Sequence, residues 1–220
     1  QSNLVANVIF PRLGETLGRT SDPAAVLRLG LRAAEVVALG MVLCAAALLA
    51  AGVPLVEWLL PAYRPGLVAA GGLVAAAAFQ GISMPLRYAL LTTKRIWPML
   101  AVTGVAATLA LAGGIGVLYG SQDRLGADLI RISWTSGGAA AFLLMATLAL
   151  CSGRRRELWG TAARVVLITV YLAAGVWLLQ TLRGHGWWPA ALAAVWCVVP
   201  AWRLGMLVDW RNLLRSSDRD

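Results

Sequence analysis

Apolar residues in this chain run on without interruption for about the length of a bilayer-spanning helix, and the polar and basic residues are confined to the short stretches between those runs. The first complete run covers Val36 to Leu60, is interrupted by Pro54 and closes on LLPAYRPG, where two prolines enforce a turn. The second covers Gly66 to Leu91, with Gln80, Pro85 and Arg87 in its second half. A tight basic connection, Thr92 to Arg95, leads to a third at Ile96 to about Gly120. The remaining three fall at Ile132 to Cys151, Val165 to Leu182 and Gly186 to Trp202. At about 1.5 Å per residue, each run crosses most or all of a hydrocarbon core of ~30 Å. The alternation that marks a membrane β-barrel is missing from them. The pattern therefore predicts an all-α polytopic membrane protein with six complete spans.

Ahead of these spans, Gln1 to Leu13 (QSNLVANVIFPRL) reads as the last turns of a helix begun upstream, closed by Pro11 and Arg12. The chain is accordingly expected to be the C-terminal part of a longer protein. Asn3 and Asn7, at i and i+4, share one face of that helix. After a polar stretch, Ser21 or Asp22 followed by Pro23 predicts a helix start, and the helix is expected to run through Arg28 and Arg32 into the first complete span.

Composition agrees with the membrane reading. The 220 residues are 60% apolar and 13% charged, with a mean hydropathy of +0.74, outside the range of an ordinary soluble domain. The net charge of +9 comes from clusters between spans rather than from one polar face, so it predicts topology and no nucleic-acid partner. Fifteen of the nineteen Lys and Arg residues fall on one side of the alternation, from Arg12 through Arg154–Arg156 to Arg219; Arg64, Arg124, Arg131 and Arg183 fall on the other. By the positive-inside rule the first set, and the C-terminus with it, faces the cytoplasm of an inner or plasma membrane. Eight of the ten tryptophans fall near the two interfaces, leaving Trp177 and Trp196 inside spans.

Candidate chemistry is sparse. His185, the one histidine, sits in an outer turn, and Cys44, Cys151 and Cys197 lack the spacing of a disulfide framework or zinc site. Phosphate-binding, serine-hydrolase and zinc-protease signatures are missing. Asp123 and Asp128 share the polar SQDRLGAD loop with Arg124 and Arg131, where ion pairing accounts for them, and the spans themselves contain one carboxylate, Glu57 near an outer edge. No catalysis, metal or cofactor is expected. Paired glycines (Gly71/Gly72, Gly113/Gly114, Gly137/Gly138) and the Gly116/Gly120 GxxxG spacing suit close helix packing, within one bundle or, for Gly116, between copies. Polar residues inside spans normally face a bundle or cavity because lipid exposure is costly, which singles out Asn3, Asn7, Gln80 and Arg87. Arg87 is near enough to a helix end to snorkel instead.

The order of segments, a span ending in NVIFPRL, a polar stretch, a basic helix entering the next span, the LLPAYRPG turn and the RYALLTTKRIWPML connection, resembles the polysaccharide flippases of the multidrug/oligosaccharidyl-lipid/polysaccharide superfamily. The resemblance covers Val5 to Gly153; the last two spans match in hydropathy alone. It implies two six-helix lobes around a central cavity, with two extra C-terminal helices. In those terms residues 1–13 end a truncated helix, 14–35 form a cytoplasmic connection and helix, and 36–153 complete the C-terminal lobe. Residues 154–208 are the extra pair and 209–220 a cytoplasmic tail. The implied activity is translocation of a lipid-linked oligosaccharide across the inner membrane by alternating access. Asn3, Asn7, Gln80 and Arg87 would then be substrate contacts. Membrane lipids are the surroundings, and a polysaccharide polymerase or glycosyltransferases the candidate partners. The alternatives are a drug/cation antiporter of the same superfamily and a non-catalytic membrane component of a polysaccharide assembly system.

Overall fold

A computed structural model describes residues 11, 13–19, 21–67, 69–120, 125–153, 156–181 and 188–207. Every long element among them is helical. We label the long helices α1 (Pro23–Leu59), α2 (Ala70–Thr92), α3 (Ile96–Gly120), α4 (Leu125–Ser152), α5 (Arg156–Thr181) and α6 (Trp188–Leu207). Helices α1 to α5 contain stretches long and apolar enough to cross a membrane, the arrangement of a multi-pass membrane protein. The expected sixth span coincides with α6, which is helical over 20 residues but stands outside those five.

Local chemistry sets the helix ends. Residues 13–19 are helical, where a plain polar connection was expected to begin. The helix gives out at Ser21, which takes φ 50° and donates its N–H to the Leu17 carbonyl at 2.8 Å. Asp22 then caps α1, its carboxylate accepting from the Ala24 N–H at 2.8 Å, and Pro23 fills a first-turn position where no N–H is required. The junction between α2 and α3 is a Schellman turn: Arg95 N–H reaches the Leu90 carbonyl at 2.9 Å and Lys94 N–H the Leu91 carbonyl at 3.0 Å. Lys94 takes the left-handed position at φ 59°, and Gly153 does so after α4 at φ 48°. Arg95 also ties this turn to the end of α4 by donating to the Leu150 carbonyl at 3.1 Å.

Proline explains the one irregularity in α1. Pro54 cannot donate to the carbonyl of Ala50, and its ring crowds that carbonyl. The helix answers with a π turn over Leu48–Gly52, closed by the Val53 N–H on the Leu48 carbonyl, and continues. The resulting 37-residue helix is about 55 Å long at ~1.5 Å per residue, well beyond a ~30 Å hydrocarbon core. The helix is thus longer than a perpendicular crossing requires, and its first turns carry the exposed Arg28 and Arg32. Arg28 pairs there with Asp22 at 3.4 Å.

Helices α1, α2 and α4 form the centre, with Leu31, Val42, Ile82, Leu86 and Leu144 fully buried between them. Small residues permit their close approach: a Cβ built on Gly30 would stand 2.7 Å from Ala89 Cβ, and one on Gly72 would stand 2.7 Å from the Ser133 carbonyl carbon. Gly113 faces Thr135 at 3.0 Å in the same sense. Gly116, by contrast, has nothing within 4 Å, so the described part of the GxxxG pair is not used in packing within the chain. Helix α3 lies against α4 and little else, with 6% of its most apolar window buried. Helices α5 and α6 dock on the opposite flank, against α1.

Candidate functional site

Polar side chains of the spans gather at two places, one on each side of the α1–α2–α4 centre. The first is a cavity of about 260 Å³ between α2, α3 and α4, lined by Gln80, Arg87, Thr103 and Ser136 among alanines. Gln80 and Arg87 are seven residues apart, so two helical turns place both on one face of α2, about 10 Å from one another along the axis. The alanines opposite them, Ala106, Ala107 and Ala110 on α3 and Ala139 and Ala140 on α4, are what leaves the space open. Thr103 donates its hydroxyl to the Met99 carbonyl at 2.8 Å and Ser136 to the Ile132 carbonyl at 2.9 Å. Both oxygens keep lone pairs for a ligand. Among the described residues the Arg87 guanidinium has no ion-pair partner, so this cavity carries a positive charge. The sequence pointed to Gln80 and Arg87, and the structure brings them together. Asn3 and Asn7 lie outside the described residues. Thr103 and Ser136 were missed, because ordinary hydroxyl residues in a span signal nothing until the rotation of α3 and α4 is known.

The second place lies between α1, α5 and α6. Its centre is Glu35, which is 3% exposed and accepts from Arg164 Nε at 3.0 Å. This corrects the expectation that Glu57 is the sole carboxylate within the spans. Beginning the first span at Val36 left Glu35 just outside it; the helix was expected to run through that point, but the burial of Glu35 was not. The signal was there: Glu35 sits among Leu31, Ala34, Ala38 and Leu39, all buried, while Arg28 and Arg32 face outward. Its partner is supplied by a helix 129 residues away, so no local pattern reveals that its charge is compensated. Arg164 itself lies within α5, two turns from its start, rather than in the connection before it. The ion pairing expected in the SQDRLGAD segment is met for Asp128, while Asp123 and Arg124 lie outside the described residues. Asp128 and Arg131 are an i,i+3 pair on α4 at 3.9 Å, since α4 begins at Leu125 within what was read as a loop.

Beside the Glu35–Arg164 pair runs a groove of about 310 Å³ lined by Leu39, Arg164, Leu167, Ile168, Tyr171, Val199, Pro200 and Arg203. Pro200 lacks the N–H that would bond the Trp196 carbonyl one turn earlier, and in an apolar setting that carbonyl must find another donor. Tyr171 provides it, its hydroxyl lying 2.9 Å from the Trp196 carbonyl. The indole of Trp196 meanwhile packs directly on Gly175, leaving no room for a Cβ there, and is 8% exposed. Thus Trp196 holds α5 to α6, while Trp58, Trp97, Trp159 and Trp202 remain exposed as interface residues do. We expect Tyr171→Phe to cost about 1–2 kcal/mol in the native background and close to nothing in a Pro200→Ala background, where the backbone donor returns. Thermal unfolding of the four proteins in one detergent measures the difference; equal losses in both backgrounds would contradict this role for the hydroxyl.

Cys151 is buried, its thiol against the Leu86 carbonyl at 3.8 Å; Cys44 is exposed and Cys197 half-buried, and all three are free. His185 lies outside the described residues. Searches of family models, curated proteins and solved structures return no match to this chain.

Proposed function

We propose that this chain forms a lobe of an inner-membrane transporter that carries lipid-linked oligosaccharide or polysaccharide precursors between leaflets by alternating access. The observation that carries the reading is the α2–α3–α4 cavity, in which the half-buried Arg87 and the exposed Gln80 share one wall among alanines. An arginine offers five N–H donors in a planar fork suited to phosphate oxygens, and the amide and hydroxyl groups beside it suit sugar hydroxyls. The exposed face of α3 and the segment order of residues 5–153 support the same reading, with α5 and α6 as the extra helical pair and α6 as the sixth span. The arginine distribution supports a cytoplasmic C-terminus. Nothing in this mechanism requires a covalent step, and no enzyme activity is proposed.

Deleting the gene should strand the lipid-linked precursor on the inner leaflet. Complementation with the full-length gene tests the site. Loss of a charge-assisted bond to phosphate corresponds to about 1.5–3 kcal/mol, a tenfold or greater fall in transport. Arg87→Ala is expected to fall by that factor, and Arg87→Lys by less. Normal surface polysaccharide in the deletion strain, or full complementation by Arg87→Ala, would overturn the reading. Glu35 gives one specific reason to keep a second reading, the drug/cation antiporter, because a carboxylate inside a span is the group such coupling uses. Its close pairing with Arg164 argues for a fixed structural charge instead. Cation-dependent drug efflux that is abolished in Glu35→Gln would favour the antiporter.

A further inference from the structure

The groove between α1, α5 and α6 has a composition that the proposed transport leaves unused. One wall is hydrocarbon, from Leu39, Leu167, Ile168 and Val199, and two guanidiniums, Arg164 and Arg203, border it. The two charges are not equivalent. Arg164 is committed to Glu35 at 3.0 Å, so that pair is neutral as a unit. Arg203 is exposed and forms no ion pair with any described residue, so among the described side chains of the groove it is the one uncompensated positive charge. That charge lies at the arginine-rich end of the bundle: Arg203 is near the C-terminal end of α6, and Arg164 is in the first third of α5. At that level a membrane presents lipid phosphates, and anionic lipids concentrate near basic residues.

We propose that this groove is a binding site for an anionic phospholipid of the surrounding bilayer, with an acyl chain laid along Leu39, Leu167, Ile168 and Val199 and the phosphodiester on Arg203. A volume of about 310 Å³ is at the small end of ligand sites, ~300–1,000 Å³, enough for part of one chain and a phosphate. The Glu35 carboxylate restrains Arg164 and thereby limits how strongly the site holds an anion. Such a lipid would bridge α1 to the α5–α6 pair. The proposal does not depend on which substrate is transported.

Native mass spectrometry of the full-length protein, titrated with phosphatidylglycerol and with phosphatidylcholine, tests it. Phosphatidylglycerol should bind more tightly. Arg203→Gln should weaken that binding about fivefold, the factor equivalent to ~1 kcal/mol of attraction per basic residue near a charged membrane. Arg32→Gln, which removes an exposed charge at the same end but outside the groove, should leave it unchanged. Glu35→Gln, by releasing Arg164, should strengthen it, the opposite of what general loosening of the fold would do. Equal weakening by Arg32→Gln and Arg203→Gln would mean diffuse surface attraction and overturn the proposal. So would an unchanged affinity in Arg203→Gln, or displacement of phosphatidylglycerol by lower concentrations of a polyprenyl pyrophosphate, which would assign the groove to the transported substrate. Should Glu35→Gln fail to fold, the Arg203 and Arg32 comparison decides alone.

Discussion

Arg164→Met is expected to destabilise the protein by about 3 kcal/mol, near the lower end of the ~3–5 kcal/mol seen when one partner of a buried pair is removed. The reason is asymmetric burial. Glu35 is 3% exposed and, without Arg164, its carboxylate stays enclosed with no cation opposite it. The side chain of Arg164 is 49% exposed, so the pair itself contributes little beyond cancelling that cost, and the estimate stays at the low end. Glu35→Gln should therefore be the milder single change, since the half-exposed guanidinium it leaves can turn toward the interface. The double variant Glu35→Gln, Arg164→Met should regain most of the loss, as both charges are then gone. Thermal unfolding of the three variants in a neutral detergent measures this ranking. If Arg164→Met unfolds at the wild-type temperature, the carboxylate is not enclosed as described.

The same pair marks the limit of what the chain discloses by itself. Local rules were enough for the Asp22–Pro23 helix start, because a cap and its acceptor lie two residues apart, and for the disturbance at Pro54, because a proline acts on the turn before it. They also singled out Gln80 and Arg87 as polar residues inside a span, and α2 sets the two on one wall of a cavity. What they could not reach depends on how separate helices are rotated against each other. Thr103 and Ser136 enter the cavity only because α3 and α4 turn those positions toward α2. Tyr171 matters only because α6 presents a carbonyl that Pro200 has orphaned. In a membrane the long apolar run hides this further. Lipid accepts an apolar side chain on every face of a helix, so hydrophobic periodicity, the usual guide to a buried face, is weak here.

Small residues carry the information that periodicity does not, and they give the second large effect. Gly72→Val is expected to separate α2 from α4 and to cost about 3 kcal/mol, the upper part of the ~1–3 kcal/mol range for overpacking a tight contact. A Cβ at this position would lie 2.5 Å from Ser133 Oγ and 2.7 Å from the Ser133 carbonyl carbon. The hydroxyl could rotate away. The backbone carbon cannot, so the helices themselves must move. Nor is the contact isolated, since a Cβ on Gly137, a turn further along α4, would already touch the Gly72 carbonyl oxygen at 3.5 Å. With lipid tails as apolar as the side chains, packing at this seam is much of what holds the two helices together. Gly138→Ala supplies the control: nothing lies within 4 Å of it, so losing the backbone freedom of glycine in mid-helix should be neutral or stabilise by up to about 1 kcal/mol. The ranking is read from unfolding midpoints in detergent, and equal midpoints for Gly72→Val and Gly138→Ala would refute the close α2–α4 contact. Because that contact also sets the distance between Gln80 and Ser136 across the cavity, Gly72→Val should lower transport in any molecules that do fold, whereas Gly138→Ala should not.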